Sequence, residues 1–321
     1  METRSAAERV ERLEFDVEWP PGHVACYLVD GPEPVLVDAA HPDHVDEFRV
    51  RLAELGYEPG DVEHVLITHP HVDHIGLVSE ILEASDPTIY APESVRERLS
   101  QDREAFANRV RRNATAARLP DAGVEQAVDF SVESLERNAS LLDPASIDVP
   151  IRPGETVQVG GLEVRAVHTP GHQADHLCYP TRIGDERVLL AGDVAIRPFR
   201  PILLQDGLDD GHREAVRAFT AALDRLSALD VDRIYPGHGP VHDGLDATIE
   251  RDRRSLDDRL SRVRSLVDDG HETAASVATG LAGDRDVRYL VAESMSVLAH
   301  LEAEGDLAYE LRDGVRHYRS T

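Results

Sequence analysis

Between Thr68 and Gly76 the sequence reads THPHVDHIG, which places His69, His71, Asp73 and His74 directly behind the apolar run Val65-Leu66-Ile67. A core histidine is ordinarily a single hydrogen-bonded ring, and surface histidines are scattered. Crowding of this kind at the end of a buried strand points to a ligand cluster. Three further residues occupy similar places: His172 in HTPGH, Asp193 in LLAGD and His238 in YPGHG. Each follows an apolar, strand-like stretch, and each has a glycine before it, which permits the tight backbone that aims a side chain at a shared point.

Neutral imidazole is the commonest ligand of borderline cations such as Zn²⁺, and a carboxylate can bridge two of them. The seven residues divide into two sets, His69, His71 and His172 against Asp73, His74 and His238, with Asp193 between. Each set leaves an incomplete shell that a shared hydroxide can fill. Bound Zn²⁺ lowers the pKa of its water to about 7, and two metals about 3.5–4 Å apart activate that nucleophile and stabilise a developing oxyanion. The cofactors expected are two Zn²⁺, with iron or manganese as alternatives.

The elements that must position these residues are legible in outline. Strands are predicted at HVACYLVD, PVLVDAA, EHVLITH and PTIYAP, with a helix over DHVDEFRVRLAELG whose Phe48, Val50, Leu52 and Leu55 share a side. A short helix is predicted from about Gly76 to Ala84. Residues from about 92 to 143 are charged, rich in Glu, Arg and Ala, and poor in β signal, so they read as a helical insertion covering the site region. Strands return in ETVQVGGLEVRAVHTPGH and ERVLLAGD, followed by the helix REAVRAFTAALDRLSAL and a last strand with its glycine turn, DRIYPGHGP. One long charged helix is predicted over about 245–268. The end of the chain reads as two or three helices and a hairpin turning at Asp313-Gly314. The division expected is a catalytic domain over 1–244 and, over 245–321, a linking helix with a small winged-helix-like domain.

The chain has 61 acidic residues against 34 basic ones, every one of the latter arginine, for a net charge of −27. Such an excess gives solubility and self-repulsion rather than a fold signal. With lysine absent it fits adaptation to high internal salt, where counterions screen the repulsion; a GC-rich codon bias is the alternative. No broad basic face for nucleic acid is indicated. Cys26 and Cys178 lie in apolar runs and read as small buried hydrophobes, not a disulfide framework. The charged N-terminus has no apolar signal core and no segment reaches a membrane-spanning length, so a cytoplasmic protein is expected.

The motifs THPHVDHIG, HTPGH, GD and PGHG, in that order over about residues 24–242, resemble those of the metallo-β-lactamase superfamily. The resemblance implies a four-layer αββα sandwich and the same division of ligands. Members that do redox work at a di-iron site usually replace one early histidine with a carboxylate; both His69 and His71 are present here, which favours hydrolysis. Mononuclear iron members that oxidise persulfides keep a similar turn and stay open. Asp38, in VLVDAA, matches the superfamily's early aspartate, which orients a metal histidine, fixes its tautomer and raises its basicity; a turn carboxylate or helix cap is the plainer role. Thr68 could act similarly through its hydroxyl. His176, four residues after His172, is taken as catalytic, either supporting the site or facing substrate, with an ordinary structural histidine as the alternative. His41, His44 and His242 read as surface or packing residues. Arg197, Phe199 and Arg200 could line a pocket for an anionic substrate, with salt bridges to the acidic protein as their ordinary use.

Three classes of function compete. A dinuclear zinc hydrolase would cleave an ester or thioester by attack of the bridging hydroxide on a polarised carbonyl, with Asp73 orienting it, as in glyoxalase II. Pro236-Gly237-His238-Gly239 departs from the Cys-Gly-His-Glu usual there, and no glutathione-contacting tail is recognisable. The long helix and winged-helix-like tail resemble the lactamase-β-like endoribonucleases, yet from His271 to Thr321 nine Asp and Glu face five Arg, which suits phosphate poorly. A winged-helix binder with a metal sensor comes last, because VRYLVAESMSVLAHLEAEG is apolar and acidic where a recognition helix is basic. Its apolar positions suit packing within the small domain or against a second copy of the chain. The partner expected is a small ester or thioester; nucleic acid is not favoured, and no membrane.

Overall fold

The computed structural model describes Ala6, residues 9–282 and residues 288–321. Residues 1–5, 7 and 8 of the charged N-terminal stretch therefore lie outside the described residues. The first sheet has β1 (Val10–Asp16), β2 (His23–Val29), β3 (Val35–Val37), β4 (His64–Leu66), β5 (Thr88–Pro92) and β6 (Val149–Ile151), side by side in chain order. It begins antiparallel and becomes parallel from β3 onward. β7 (Thr156–Val159) and β8 (Leu162–Arg165) form a hairpin, and β9 (Val167–His168), β10 (Leu177–Ile183), β11 (Glu186–Gly192) and β12 (Arg233–Pro236) form a second sheet in reverse order. In that sheet β11 and β12 run parallel.

Side-chain alternation builds the layers, because successive residues of a strand face opposite ways. Ala25, Tyr27, Val29, Val35, Val37 and Leu66 of the first sheet share a core with Leu177, Tyr179, Val188, Leu190 and Tyr235 of the second. Their neighbours Cys26, Leu28, Leu36, Val65 and Ile67 point the other way. There they meet α1 (Val45–Glu54), α3 (Val78–Ala84), α4 (Glu93–Ser100), α5 (Arg103–Ala116) and α6 (Asp121–Leu141); the one-turn α2 (Val72–Ile75) precedes α3. On the far side, Cys178, Leu189, Ala191 and Ile234 meet α7 (Ala215–Ser227), α8 (Leu245–Asp268), α9 (Ala274–Ala282) and α10 (Arg288–Ala303). This is the αββα sandwich, with the first and last layers helical.

The helix period corrects one expectation. Val50 lies two residues from both Phe48 and Leu52, about 200° around a helix; Phe48 and Leu52 are buried and Val50 is 57% exposed. The segment predicted as an insertion is helical, as α4, α5 and α6, and is tied down beside the ligand-bearing loops. Asn138 of α6 donates to the Pro70 carbonyl at 2.9 Å, and Arg98 of α4 pairs with both Asp175 and Asp206.

The chain ends in β13 (Leu307–Arg312) and β14 (Val315–Ser320), joined at Asp313-Gly314 with both residues at positive φ, as a type I′ turn requires. Leu307, Tyr318 and the apolar residues of α9 and α10 belong to the same core as α7 and the second sheet. The described residues of α8, α9 and α10 thus pack as part of the outer helical layer, with Leu307 and Tyr318 of the hairpin against them. Among the described residues no helix is long and apolar enough to cross a membrane.

Candidate metal centre

The parallel strand pairs bring the seven residues together. β3 and β4 pair with Val37 opposite Leu66, so the residues that follow, Asp38 and Thr68–His74, leave the sheet at one edge. β11 and β12 pair with Gly192 opposite Pro236, so Asp193 and His238 leave the second sheet side by side. His172 comes from the loop between β9 and β10. The donor atoms of His69, His71, His172 and Asp193 all lie within 4.8 Å of one another, as do those of Asp73, His74 and His238. His71 Nδ1 is 3.0 Å from His69 Nε2 and 3.1 Å from His172 Nε2. Asp193 reaches both sets: its Oδ2 is 3.1 Å from His172 Nε2 and 3.3 Å from His238 Nε2, and its Oδ1 is 3.2 Å from His74 Nε2. His238 Nε2 also lies 3.5 Å from Asp73 Oδ2.

The outward-facing ring nitrogens decide what the inward ones present, since a neutral imidazole has one donor and one acceptor. His172 Nδ1 donates to the Ile202 carbonyl at 2.9 Å and His238 Nδ1 to the His23 carbonyl at 2.7 Å. His74 Nδ1 donates to Asp38 Oδ2 at 2.8 Å. The Thr68 hydroxyl gives its single hydrogen to Asp38 Oδ2 at 2.9 Å, so at 3.0 Å it accepts from His69 Nδ1. All four rings therefore turn an Nε2 lone pair inward, toward one another and the Asp193 carboxylate. Lone pairs facing a carboxylate repel unless positive charge lies between them. His74 Nε2 and Asp193 Oδ1, although 3.2 Å apart and buried, make no hydrogen bond. Leaving such atoms unpaired costs roughly 1–3 kcal/mol each. Bound divalent cations remove that cost, and the mixed imidazole and carboxylate donor set suits Zn²⁺ or iron.

Protonation shows the same tension. Burial, aided by the neighbouring histidines His74 and His71, holds His69 well below the ordinary histidine value; burial and His172 do the same to His71. Burial opposes charge on His74 and His238 as well, but carboxylates outweigh it: Asp193, Asp38 and Asp73 raise His74 well above, and Asp193 with Asp73 raises His238. Asp193 is also buried, yet His238 and His74 keep its carboxyl well below the usual range. In metal-free protein, then, the contribution of His69 and His71 is lost as pH falls below their unfolded value of about 6.5. That of His74 and His238 is complete below about 6.5 and is lost as pH rises through their raised values. Thermal unfolding after EDTA treatment should show a melting temperature that declines as pH rises above about 6.5, and Zn²⁺ should abolish the decline by replacing the protons. A metal-free melting temperature that climbs steadily over that range would contradict this protonation pattern.

Asp38 anchors both sets from behind. Its Oδ1 accepts the Thr68 N–H at 2.8 Å, and its Oδ2 holds Thr68 Oγ1 and His74 Nδ1. Its backbone sits at φ 59°, a left-handed conformation that costs a non-glycine residue about 1 kcal/mol or more and that Asp tolerates better than most. His176 lies behind Asp193. It is fully buried, its Nε2 accepts the Asp193 N–H at 2.9 Å, and its Nδ1 donates to Thr169 Oγ1 at 2.7 Å. Burial pushes its pKa down to about 3. With both nitrogens engaged it faces no substrate; it fixes the backbone of Asp193. Arg197 and Arg200 are engaged by other side chains and backbone of the fold. Arg197 binds Thr248 Oγ1 and the Gly244 carbonyl, and Arg200 pairs with Glu293. His44 stacks on Phe15, His41 packs edge-on to Trp19, and His242 Nε2 donates to the Ala195 carbonyl.

Sequence reasoning did not find the carbonyls of His23 and Ile202 or the hydroxyl of Thr169. Main-chain oxygens carry no residue-type signal, and a threonine beside a strand is common. The glycine before His238 has a specific cause. A Cβ on Gly237 would stand 2.6 Å from both Asp193 Oδ1 and His74 Cε1. Gly237→Ala is therefore expected to weaken metal binding at least tenfold, read by equilibrium dialysis, with a small change in melting temperature. Unchanged metal affinity would show that Asp193 and His74 are not held as closely to Gly237 as described.

A family model described as the metallo-β-lactamase superfamily matches residues 19–238. The chain belongs to that superfamily, one of metal-dependent hydrolases. A probable metallo-hydrolase of Bacillus subtilis, YqjP, is 29% identical over 311 residues, covering 92% of this chain and 93% of its own. An atrochrysone carboxyl ACP thioesterase of Cryptosporiopsis is 24% identical over 91% of this chain and 78% of its own. Among solved structures, a metallo-β-lactamase family protein of Thermus thermophilus, TTHA1429, superposes with a TM-score of 0.81 at 27% identity, over 97% of this chain and 98% of that one. The expected superfamily and sandwich fold are thereby shown.

Proposed function

We propose that the chain is a dinuclear hydrolase of carbonyl esters or thioesters, with Zn²⁺ as its cations. The observation that carries this is the Asp193 carboxylate, with one oxygen toward His172 and His238 and the other toward His74, so that it belongs to both sets of donors. His69, His71 and His172 would hold one cation, Asp73, His74 and His238 the other, with Asp193 shared. Two such cations lower the pKa of water to supply hydroxide near neutral pH and polarise the substrate carbonyl. The residues of the chain do the rest. Asp38 and Thr68 keep His74 and His69 in the tautomer that offers Nε2. His176 fixes Asp193 through its backbone. Asp73, whose Oδ2 lies 3.5 Å from His238 Nε2, would accept a hydrogen bond from the attacking water and orient it.

The thioesterase named among the relatives supports a thioester as readily as an oxygen ester. The nuclease reading finds less support, because Val277, Ala278 and Ala282 of α9, Leu290, Val291, Met295, Val297, Leu298 and Leu301 of α10 and Leu307 of β13 belong to the chain's own core. The test is a panel of aliphatic thioesters, esters, lactones and single-stranded RNA, assayed in high-potassium buffer with Zn²⁺-loaded protein. Thioester or ester cleavage that EDTA abolishes and Zn²⁺ restores is the expected outcome. Cleavage of RNA with no carbonyl substrate turned over would replace this reading with the nuclease one.

A further inference from the structure

The segment after Asp193 carries a donor residue at its start and, nine residues on, the Ile202 carbonyl that receives His172 Nδ1–H. Nearly every hydrogen bond that holds this segment comes from the C-terminal part of the chain. His242 Nε2 donates to the Ala195 carbonyl at 2.8 Å, and Arg251 of α8 donates to the Ile196 carbonyl at 2.7 Å. Arg197 is received by Gly244 and Thr248 at the start of α8. At the far end Arg200 donates through NH1 to its neighbour's carbonyl, Pro201 O, at 2.7 Å, and through NH2 to Glu293 Oε1 of α10 at 2.6 Å. The Arg200 and Glu293 side chains are 5% and 2% exposed, and Arg259 of α8 lies 3.4 Å from the other Glu293 oxygen.

A buried ion pair between a helix and a loop does not by itself stabilise a fold well, because desolvation offsets much of the attraction. A pair whose arginine also grips the peptide next to a ligand-orienting carbonyl has a more specific use. The geometry points to Glu293 as a positioning residue of the metal centre: through Arg200 and the Pro201–Ile202 backbone it fixes the Nδ1 hydrogen bond, and so the aim, of His172. Helices α8 and α10 are then a working part of the active site rather than of a separate binding module. This rests on the metal-holding reading above.

Co²⁺ titration of the metal-free full-length protein, followed by its visible absorption, tests the assignment without substrate. Glu293→Ala should weaken one of the two Co²⁺ binding steps about tenfold and alter its spectrum, in line with losses seen when groups behind a ligand are removed. Glu293→Gln, which keeps an oxygen acceptor for Arg200, should bind nearly as wild type. Leu266→Ala, in the α8 core, serves as the structural control, lowering the melting temperature without moving either Co²⁺ step. Should Glu293→Ala fail to fold, the double variant Arg200→Met with Glu293→Leu replaces the pair by apolar side chains of similar size and must show the same tenfold loss. Wild-type Co²⁺ affinity in Glu293→Ala or in the double variant overturns the proposal, as does an equal loss in Leu266→Ala at an equal fall in melting temperature. A wild-type protein that takes up no Co²⁺ defeats the metal reading itself, and this inference with it.

Discussion

Asp193→Ala is expected to lose at least one bound metal and to lower kcat/KM about 10³-fold, equivalent to roughly 4 kcal/mol of transition-state stabilisation. The size of the effect follows from geometry. Asp193 lies between the two sets, within 3.3 Å of His74, His172 and His238, and is the residue common to both. Without it, three buried imidazoles lose the carboxylate they share, and Asp73, beside His238 alone, is the carboxylate left to favour a cation. Asp193→Asn refines the test, since it preserves shape. Its amide has one oxygen and one donor, so it can serve one imidazole set and must oppose the other. Metal content and turnover should therefore fall in the asparagine variant almost as far as in alanine. Normal metal content and activity in either would refute the shared-carboxylate arrangement.

Asp38→Ala should have the next largest effect, although Asp38 reaches no metal. It removes the acceptor of three buried hydrogen bonds, from the Thr68 N–H, the Thr68 hydroxyl and His74 Nδ1. A loss of about 3 kcal/mol of stability is expected from the stranded donors, and a 10–100-fold loss of metal affinity from the freed tautomers of His74 and His69. Part of the stability loss in alanine would come from the backbone, because the φ of 59° suits Asp or Asn better than Ala. Asp38→Asn separates the two causes. It should fold with most of its stability and still bind metal about tenfold more weakly, as measured by competition with a chromophoric chelator. Wild-type affinity in Asp38→Asn would mean that hydrogen-bond geometry alone, without charge, sets the ligand basicity.

The site was more legible in the sequence than its surroundings, for a physical reason. Side chains that bind cations are chemically rare, and His69, His71, Asp73, His74, His172, Asp193 and His238 stand where apolar runs end, so type and position agree. The sandwich was implied by the family resemblance those motifs carry, and strand alternation, with Tyr27 on one face and Leu28 on the other, agrees with it. What holds the ligands was less visible. The acceptors for His172 and His238 are the carbonyls of Ile202 and His23, and a carbonyl looks alike in every residue. The role of His176 depended on whether its ring met substrate or the Asp193 backbone, which spacing of four residues does not decide. Val50 fell on the wrong side because an apolar residue in a helical stretch is not always core. The tail suffered similarly. Its helices and hairpin are local and were readable, whereas the buried Arg200–Glu293 pair joins residues 93 positions apart.

The most direct test is the number and place of bound metals. Crystals of Zn²⁺-loaded protein, measured on both sides of the zinc absorption edge, should give two anomalous peaks per chain, one among His69, His71 and His172, the other among Asp73, His74 and His238, with Asp193 touching both. A single peak outside these residues, or none in protein that dialysis shows to be saturated with Zn²⁺, would contradict the account.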